Sequence, residues 1–308
     1  MNKIAITTGD PNGIGAEITV KALKKLNLGA DEIVLISNSE LLKNVGGGDI
    51  CNKYEIIEIP FDMSDLHYGR ITGQSGEFSF LSLEKVCAIH PKAIVTAPVA
   101  KKSLHLAGHY FNGQTEILQK FLAHDGQLAE MLFVAGNFKV LLLTRHCALK
   151  QVNLTKEMVV EKVMNLVNTF RTQFGVQNPK LALCGFNPHA SEGGILGSEE
   201  EEVLIPAVDI LRKNGVDITN PLPSDTLFVG AAKDYYNEVL NPTYDCYIAN
   251  YHDQGLIPIK TVAGKKTVNM TIGLDIVRTS PGHGTAFDIA GRDIADCEGM
   301  IEAIKAVL

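Results

Sequence analysis

The six cysteines of this 308-residue chain form no Cys-x-x-Cys pair. They are scattered over the whole length, which favours reduced thiols over a disulfide framework or a zinc ribbon. No apolar run is long enough for a membrane-spanning helix, and the N-terminus is typical of a first β-strand rather than a signal peptide. These absences predict a soluble, cytoplasmic protein.

An excess of basic charge is also missing. The chain has 28 Lys and Arg against 35 Asp and Glu, for a formal net charge of −7, which argues against nucleic acid or an anionic membrane as the main partner. At 45% hydrophobic and 20% charged, its composition suits one large or two medium α/β domains. Neither an internal repeat nor a low-complexity segment marks a domain boundary.

Short β-branched runs alternate with amphipathic stretches along the chain. The pattern predicts strands at 4–8, 32–37, 93–97, 140–144, 180–184 and 246–250, and helices at 16–26, 113–122, 156–173 and 199–214. Such alternation is typical of a largely parallel sheet with helices on its faces. Ligands in these folds collect at the carboxyl ends of the strands.

Three histidines, His146, His189 and His252, fall at or just past predicted strand ends. Pro188 stiffens the backbone before His189, and Asp253 supplies a carboxylate beside His252 that could orient the imidazole or act as a further ligand. Ligands this far apart would be assembled by the fold with coordination positions left open, as in catalytic metal sites. Three imidazoles suit Zn²⁺, Co²⁺ or Ni²⁺, whereas added carboxylate and water would admit Mg²⁺ or Mn²⁺. The alternative is that each is an ordinary hydrogen-bonded loop histidine.

Two further motifs lie next to predicted helix starts. The loop Gly9-Asp-Pro-Asn-Gly-Ile-Gly15 joins the first strand to the first helix, and its amides could face an anion or could simply form a tight turn. It matches neither Gly-x-Gly-x-x-Gly nor a P-loop. The acidic run from Ser198 to Glu202 is interpreted as a capped helix start, with glutamates favoured by the helix dipole.

Lys260, Asn269 and Arg278 follow His252 in the sequence and are spaced nine residues from one to the next. They offer a point cation, an amide and a planar bidentate cation, which together suit a carboxylate or phosphate on a small substrate. Taken singly, the two cations would be ordinary surface residues and Asn269 the end of a strand.

Several of these motifs resemble the 4-hydroxythreonine-4-phosphate dehydrogenase (PdxA) family of vitamin B6 biosynthesis. The resemblance is carried by Gly9–Gly15, Asn187–Gly194, Pro221–Phe228, Tyr251–Gly255 and the stretch from Asn269 through His283-Gly-Thr-Ala. It implies a two-domain α/β/α subunit, related to isocitrate and isopropylmalate dehydrogenases, with an interdomain cleft. It also implies a homodimer whose active site is shared at the interface. We predict a first domain at 1–112 with 275–308, and a second at 113–274 that carries most metal and dimer contacts.

The resemblance also implies roles for individual residues. His146, His189 and His252 would bind the divalent metal, while Thr115, Lys260, Asn269 and Arg278 would contact the phosphorylated substrate. The chain departs from the family at one position, where the usual His-Thr-Glu is Gln114-Thr115-Glu116. We expect Gln114 to bind substrate too, but its amide can only donate and accept hydrogen bonds. The departure leaves any proton transfer there, and the strict identity of the substrate, open.

The stretch His283-Gly-Thr-Ala-Phe-Asp-Ile-Ala-Gly291 is similar to the adenosine-binding loop of the isopropylmalate and isocitrate dehydrogenases. The resemblance implies NAD contacts from His283, which would lie against the adenine, and from Gly284, Thr285 and Ala286. Asp288 would accept hydrogen bonds from the ribose hydroxyls and repel a 2′-phosphate, favouring NAD over NADP. The alternative is a glycine-rich loop that caps the last helix.

The function implied is NAD-dependent, divalent-metal-dependent (Zn, Mg or Co) oxidation of 4-phosphohydroxy-L-threonine. The resulting 3-keto acid would decarboxylate to 3-amino-2-oxopropyl phosphate. Asp225, Asp253 and Lys260 are the candidates for receiving the proton. One alternative is the same chemistry on D-threonate or D-erythronate 4-phosphate. A more distant one is a non-redox metal-dependent phosphoester hydrolase, which would have no use for the adenosine loop.

Overall fold

A computed structural model of the chain describes residues 2–124 and 126–308. It contains two compact units. Unit 1 consists of Met1–Ala129 together with Val268–Leu308, and unit 2 of Glu130–Thr267. Within the described residues, every helix is too short or too polar to cross a membrane.

Unit 1 is built on a sheet with the strand order β3-β2-β1-β4-β11-β10. Its strands are β1 (Ile4–Thr7), β2 (Ile33–Ser37), β3 (Glu55–Glu58), β4 (Ala93–Thr96), β10 (Val268–Ile272) and β11 (Arg278–Pro281), and its helices are α1 (Gly15–Leu26), α2 (Ser39–Asn44), α3 (Gly48–Lys53), α4 (Gly73–Ala88), α5 (Lys101–Leu106), α6 (Gln114–Leu122) and α11 (Glu298–Lys305). All neighbouring pairs are parallel except β10 and β11. The central strands β1 and β2 are buried along their whole length, as expected where helices cover both faces.

Helix α6 belongs to unit 1 because its apolar face lies in that unit's core. Leu118 and Leu122 pack in one buried cluster with Phe78 of α4 and with Leu274 between β10 and β11. The predicted division at 112/113 and 274/275 therefore differs from the observed one at 129/130 and 267/268. The pattern located α6 but could not show which sheet its leucines would cover.

Unit 2 is built on a second set of strands in the order β5-β6-β9-β7-β8. Its strands are β5 (Glu130–Ala135), β6 (Phe138–Leu142), β7 (Lys180–Leu183), β8 (Asp217–Ile218) and β9 (Cys246–Ala249), and its helices are α7 (Lys156–Gln173), α8 (Ile205–Lys213), α9 (Ser224–Tyr236) and α10 (His252–Ala263). Strands β6, β9, β7 and β8 are parallel, whereas β5 and β6 form an antiparallel pair. The prediction of a largely parallel α/β fold is confirmed.

All six cysteines are free, which agrees with the expectation of reduced thiols. Cys184 and Cys246 are buried around the strands of unit 2, and burial raises the pKa of each thiol to about 12. A thiol whose pKa lies this far above neutral pH is a poor nucleophile, so Cys184 and Cys246 act as small apolar core residues.

Candidate functional site

The three histidines predicted to bind metal all belong to unit 2 and leave neighbouring strands. β6, β9 and β7 lie side by side and parallel, and His146, His252 and His189 follow their respective carboxyl ends. The three loops therefore leave the sheet at the same edge, where α/β folds bind ligands.

A hydrogen-bonded group of side chains ties these loops together, and we call it the polar hub: Thr144, Asn250, Gln254 and Ser224. Thr144 Oγ1 donates to the carbonyl of Asn250 (2.7 Å), and Gln254 Oε1 accepts from the Asn250 amide N–H (2.7 Å). Gln254 Nε2 donates to the carbonyl of Gly185 (2.7 Å) and to Ser224 Oγ (2.9 Å). The hub thereby fixes the starts of the loops that carry all three histidines.

His252 is the first residue of α10, and its ring is held by its neighbour. Nδ1 lies 2.7 Å from Oδ1 of Asp253, which leaves Nε2 as the nitrogen available to a ligand. The ring of His146 is 5.5 Å from that of His252, centroid to centroid. His146 and His252 are therefore brought together.

His189 does not complete a metal-binding group with them in this structure. Over residues 2–124 and 126–308, no three His, Cys, Asp or Glu side chains are placed to hold one ion. His189 is exposed on the loop after β7, next to the loop of His252. The structure thus assembles two of the three predicted ligands and places the third one strand away.

The loop that carries His189 has a left-handed backbone. From His189 to Gly194 every residue has a positive φ: 54°, 51°, 64°, 50°, 69° and 88° in order. Four of these residues are not glycine, and each costs about 1–2 kcal/mol in this conformation. Such clustered strain persists where surrounding contacts enforce it, often at functional sites.

The acidic run after this loop does more than begin a helix. A π-helical turn over Glu200–Leu204 leads into α8, and Glu200 is only 1% exposed. Its carboxylate accepts from the backbone N–H of Asn187 (2.7 Å) and from Asn187 Nδ2 (2.9 Å), while Glu199 accepts from the same Nδ2 (2.7 Å). The prediction of a helix start is confirmed, but the expected cap from Ser198 is not formed by any described side chain. Two of the glutamates bind Asn187 because the chain folds back at the strained loop.

An open cavity of about 350 Å³ runs along α10. It is lined by His252, Leu256, Ile257, Lys260 and Thr261. His252, Leu256 and Lys260 are four residues apart, so they share one face of the helix. The predicted metal ligand and the predicted cation therefore line the same cavity.

The other two candidates for receiving a proton differ in position. Asp253 is 73% exposed and engaged with the His252 ring. Asp225 is exposed in the first turn of α9, beside Ser224 of the polar hub. Their geometry suits Asp253 to orienting His252 more than to proton transfer.

In unit 1, Arg278 opens β11 and is 3% exposed. Its Nε and Nη2 both donate to Oγ1 of Thr96 at the end of β4, at 2.9 and 2.6 Å. Burial lowers the pKa of the guanidinium to about 10, although the charge of Glu116 raises it. A cation bonded to a neutral hydroxyl in so dry a place is ready for an anionic partner.

Gln114 and Asn269 are placed around this arginine. Gln114, first in α6, donates from Nε2 to the carbonyl of Ala97, the residue after Thr96 (3.2 Å). Asn269 faces Ser280 across the ladder, so its side chain shares a face with that of Arg278. Gln114 Oε1 and Asn269 Oδ1 are buried and find no hydrogen-bond partner among the described residues. Thr115, 8% exposed, follows Gln114 in the first turn of α6, where backbone amides favour an anion.

The predicted adenosine loop lies over the first loop of unit 1. The amide of Ile14 donates to the carbonyl of Thr285 (3.1 Å), and the amide of Gly13 donates to Asp10 (3.0 Å). A Cβ added at Gly13 would lie 2.9 Å from the Thr285 oxygen, so glycine is needed for the close approach. The loop Gly9–Gly15 is therefore a tight turn that supports the second loop, and its bonded amides are not free for an anion.

Glu17 and Lys21 of α1 hold the chain just after the predicted adenosine loop. Glu17 Oε1 accepts from the amide of Ala295 (2.7 Å), and Lys21 Nζ donates to the carbonyl of Asp293 (2.9 Å). His283, Gly284 and Asp288 remain exposed, while Thr285 and Ala286 are half-buried. The loop is thus bonded to the first loop at Thr285, and the chain that follows it is held by α1, while the side chains of His283 and Asp288 are presented to solvent.

Sequence analysis missed several residues that organise the site. Gln254 and Ser224 stand inside motifs quoted for the family resemblance, and Asn250 is the last residue of a predicted strand, but none of the three is titratable. Asn187 and Glu200 are thirteen residues apart, and no local pattern pairs them. A polar residue directly after a buried strand was the available signal for Asn250.

The sequence matches the pattern of the family described as pyridoxal phosphate biosynthetic protein PdxA over residues 7–307. The chain belongs to the PdxA family. A 4-hydroxythreonine-4-phosphate dehydrogenase of a Sulfurihydrogenibium species is 37% identical to this PdxA chain, covering all of it and 98% of the relative. A D-threonate 4-phosphate dehydrogenase of Salmonella typhimurium is 35% identical, with 99% and 98% covered.

Solved structures extend the comparison to the fold. The crystal structure of 4-hydroxythreonine-4-phosphate dehydrogenase from Klebsiella pneumoniae superposes on this PdxA chain with a TM-score of 0.87 at 32% identity, covering 100% and 98% of the two chains. A β-decarboxylating dehydrogenase from Thermococcus kodakarensis gives a TM-score of 0.53 at 13% identity, with 99% and 82% covered. The second match concerns the fold alone, which this chain shares with that β-decarboxylating dehydrogenase.

Proposed function

We propose that this PdxA protein oxidises the secondary alcohol of 4-phosphohydroxy-L-threonine with NAD and a divalent metal. The observation that carries the proposal is the buried Arg278 guanidinium, bonded to neutral Thr96, together with the buried oxygens of Gln114 and Asn269, which have no hydrogen-bond partner within 2–124 and 126–308. A buried cation with donors and acceptors around it suits a phosphate together with the polar groups of a small substrate. Relatives named for oxidation of this compound and of D-threonate 4-phosphate support the reaction class.

A divalent metal fits the donor set of unit 2. The rings of His146 and His252 lie 5.5 Å apart, centroid to centroid, and the bond of Nδ1 to Asp253 leaves Nε2 of His252 as the nitrogen available to a metal. We propose that His146, His189 and His252 hold Zn²⁺, Co²⁺ or Mg²⁺. When bound, the metal would supply Lewis-acid stabilisation of negative charge on the substrate oxygen.

The remaining groups bind, orient and move protons. Arg278 binds the phosphate with the amides at the start of α6, and Thr115 and Asn269 add hydrogen bonds. Lys260 Nζ, which lines the cavity with His252, contacts the reacting end of the substrate and relays its hydroxyl proton to solvent. The 3-keto acid formed then loses CO₂ to give 3-amino-2-oxopropyl phosphate.

We propose that NAD binds at the loop from His283 to Asp288. Thr285 of this loop is bonded to the amide of Ile14, and the chain that follows the loop is held at Asp293 and Ala295 by Lys21 and Glu17. These bonds fix the backbone on which the exposed side chains are presented to a ligand. Asp288 would accept from the ribose hydroxyls, which favours NAD over NADP.

A homodimer is also proposed. Four large apolar side chains of unit 2 are 63–95% exposed: Ile195, Val229, Leu240 and Ile257. A partner subunit that covered them would remove them from water. Exposed apolar surface of this kind is typical of protein interfaces. The oligomeric state is measurable by sedimentation.

A second substrate class deserves a test because the chain carries Gln114 where the family usually has histidine. D-threonate or D-erythronate 4-phosphate offers a hydroxyl where hydroxythreonine phosphate has an amino group. Either group can donate to Gln114 Oε1, and the Salmonella relative at 35% identity is named for D-threonate 4-phosphate.

The decisive experiment measures NADH formation from each of these substrates, with protein stripped of metal and then restored with Zn²⁺, Co²⁺ or Mg²⁺. We expect turnover of 4-phosphohydroxy-L-threonine that requires a restored metal. Arg278→Lys keeps the charge but loses the planar fork, so we expect KM for the substrate to rise while Kd for NAD changes little. Turnover without any metal, or unchanged kinetics in Arg278→Lys, would contradict the proposed arrangement.

A further inference from the structure

The strained loop of His189 is held at its base by one residue, Asn187. Its backbone N–H and its Nδ2 donate to the two carboxylate oxygens of Glu200 (2.7 and 2.9 Å), and Nδ2 also donates to Glu199 (2.7 Å). We call these three residues the Asn187 clamp. Pro188 follows immediately, and then His189 begins the left-handed turn.

The burial of Glu200 sets the clamp apart from an ordinary surface contact. Glu200 is 1% exposed at the start of a π-helical turn that continues into α8. A buried carboxylate is costly unless its oxygens are hydrogen-bonded, and here both oxygens bond to Asn187. Glu200 is thus committed to the position of Asn187.

The space around the loop leaves little freedom for another conformation. A Cβ added at Gly197 would lie 2.4 Å from Asn187 Nδ2, and one added at Gly185 would lie 2.8 Å from Cα of Ala190. Within the loop, Ser191 Oγ accepts from the amide of Gly194 (3.1 Å) and its carbonyl from the amide of Leu196 (3.0 Å). These contacts oppose relaxation of the positive-φ residues towards right-handed geometry.

We infer that Glu200 and Asn187 are positioning residues for His189: the clamp maintains the left-handed turn and so sets the direction of the imidazole. This inference rests on the proposed role of His189 as a metal ligand. Both residues would act through the backbone of the loop, because Glu200 bonds to Asn187 and Asn187 lies two residues before His189. Outer groups that orient a ligand typically change metal affinity by about 10- to 100-fold when they are removed.

The test compares Glu200→Gln and Asn187→Ala with Glu202→Gln, a control on the exposed part of the same acidic run. Kd for Zn²⁺ is measured by chelator competition, and the visible d–d spectrum is recorded with bound Co²⁺. We expect Glu200→Gln and Asn187→Ala to raise Kd by about 10- to 100-fold and to alter the Co²⁺ spectrum, with Glu202→Gln unchanged. In the double variant Glu200→Gln/Asn187→Ala, Kd should rise by less than the product of the two single increases, because both changes remove the same interaction.

The controls separate the inference from the proposed function. If wild type binds neither Zn²⁺ nor Co²⁺, or if His189→Ala binds them as tightly as wild type, the proposed metal site is wrong. If His189→Ala loses metal while both clamp variants keep wild-type Kd and spectrum, the positioning role alone is wrong. If thermal unfolding shows that Glu200→Gln is not folded, Glu199→Gln takes its place. This variant weakens only the bond from Asn187 Nδ2 to Glu199, so a smaller increase in Kd is expected.

Discussion

At the scale of single residues, unit 1 holds charged groups with neutral partners. Arg278 bonds to the Thr96 hydroxyl, and Asp10 accepts from the amide of Asn12 (3.0 Å) and from Ser75 Oγ (3.3 Å). None of these hydroxyl and amide partners carries a charge that would neutralise Arg278 or Asp10, so hydrogen bonding offsets the cost of burying the two charges only in part. For Arg278 a bound phosphate would complete the balance. Asp10 lies in the tight turn below the adenosine loop, so its charge bears on stability instead.

Asp10→Asn should reveal that cost through pH. Burial raises the pKa of Asp10 above its ordinary 3.8, although hydrogen bonds from Asn12 and Ser75 lower it. The folded state therefore keeps the proton to higher pH than the unfolded state does. The unfolding free energy of wild type relative to Asp10→Asn should fall as pH rises from 3.8 through the raised pKa, by about 1.4 kcal/mol for each pH unit between the two values.

Urea unfolding of both proteins across this range measures the difference. Asp209→Asn, which removes an exposed carboxylate from α8, controls for the change in net charge. A constant difference between wild type and Asp10→Asn would show that Asp10 titrates alike in both states.

Gln114→His restores the family's residue at the start of α6. The present amide is fixed by its bond to Ala97 and does not titrate, whereas histidine would add an ionisation near neutral pH. We expect the variant to stay active on 4-phosphohydroxy-L-threonine with an altered pH profile of kcat/KM, while exposed Gln177→His changes nothing. If wild type prefers a phosphorylated aldonate and the variant reverses that preference, the primary substrate is wrong.

At the scale of elements, hydrophobic periodicity predicted most of the site-bearing framework. Predicted strands at 4–8, 180–184 and 246–250 became β1, β7 and β9 with ends shifted by a residue or so, and the helix at 156–173 is α7. The strands bury continuous apolar runs, and α7 buries apolar residues at helical spacing. Both patterns are visible in the sequence alone.

Elements whose position depends on distant partners could not be predicted in the same way. The antiparallel partners β5 and β10 carry no signal of direction, since a short apolar run suits either orientation. The left-handed turn at His189 depends on Glu200, and the placement of Gln254 depends on Gly185 and Ser224. Sequence named the metal-binding candidates, but only tertiary contacts showed what holds them.

Helix α10 carries both His252 and Lys260, so the packing of α10 on the sheet determines where these two side chains line the cavity. A Cβ added at Gly255 would lie 2.6 Å from Cδ2 of Leu142, 2.8 Å from Cγ1 of Val140 and 3.0 Å from Cβ of Ala249. Gly255→Ala should therefore lower the unfolding free energy by about 1–3 kcal/mol through overpacking. It should also weaken metal binding, because the helix must move away from β6 and β9.

Gly230→Ala on α9 is the matched control for this helix glycine. A Cβ there meets no described atom within 4 Å, so the variant should be as stable as wild type or more stable by up to about 1 kcal/mol. Chemical denaturation and Zn²⁺ titration of both variants provide the measurement. Equal stability of the two alanine variants would show that α10 is not closely seated.

At the scale of the whole molecule, the residues of the proposed chemistry are divided between two units. Unit 2 is one continuous segment that is inserted between the two segments of unit 1. The three histidines and Lys260 belong to Glu130–Thr267, whereas Arg278 and the adenosine loop return to the unit that contains α6. The predicted boundary at 112/113 differs from this division, since the sequence pattern of α6 does not show which core its apolar face covers.

This division predicts which parts of the chain each ligand stabilises. A ligand at 100 times its Kd stabilises the folded state by about 2.7 kcal/mol, and hydrogen exchange shows where protection arises. Zn²⁺ alone should slow exchange in unit 2, above all in the loop after β7 and at the start of α10. NAD alone should slow exchange in unit 1, at the loop from His283 to Asp288 and at Gly9–Gly15 beneath it. Protection of the adenosine loop by Zn²⁺ alone, or of the histidine loops by NAD alone, would contradict the assignment of the two ligands to separate units.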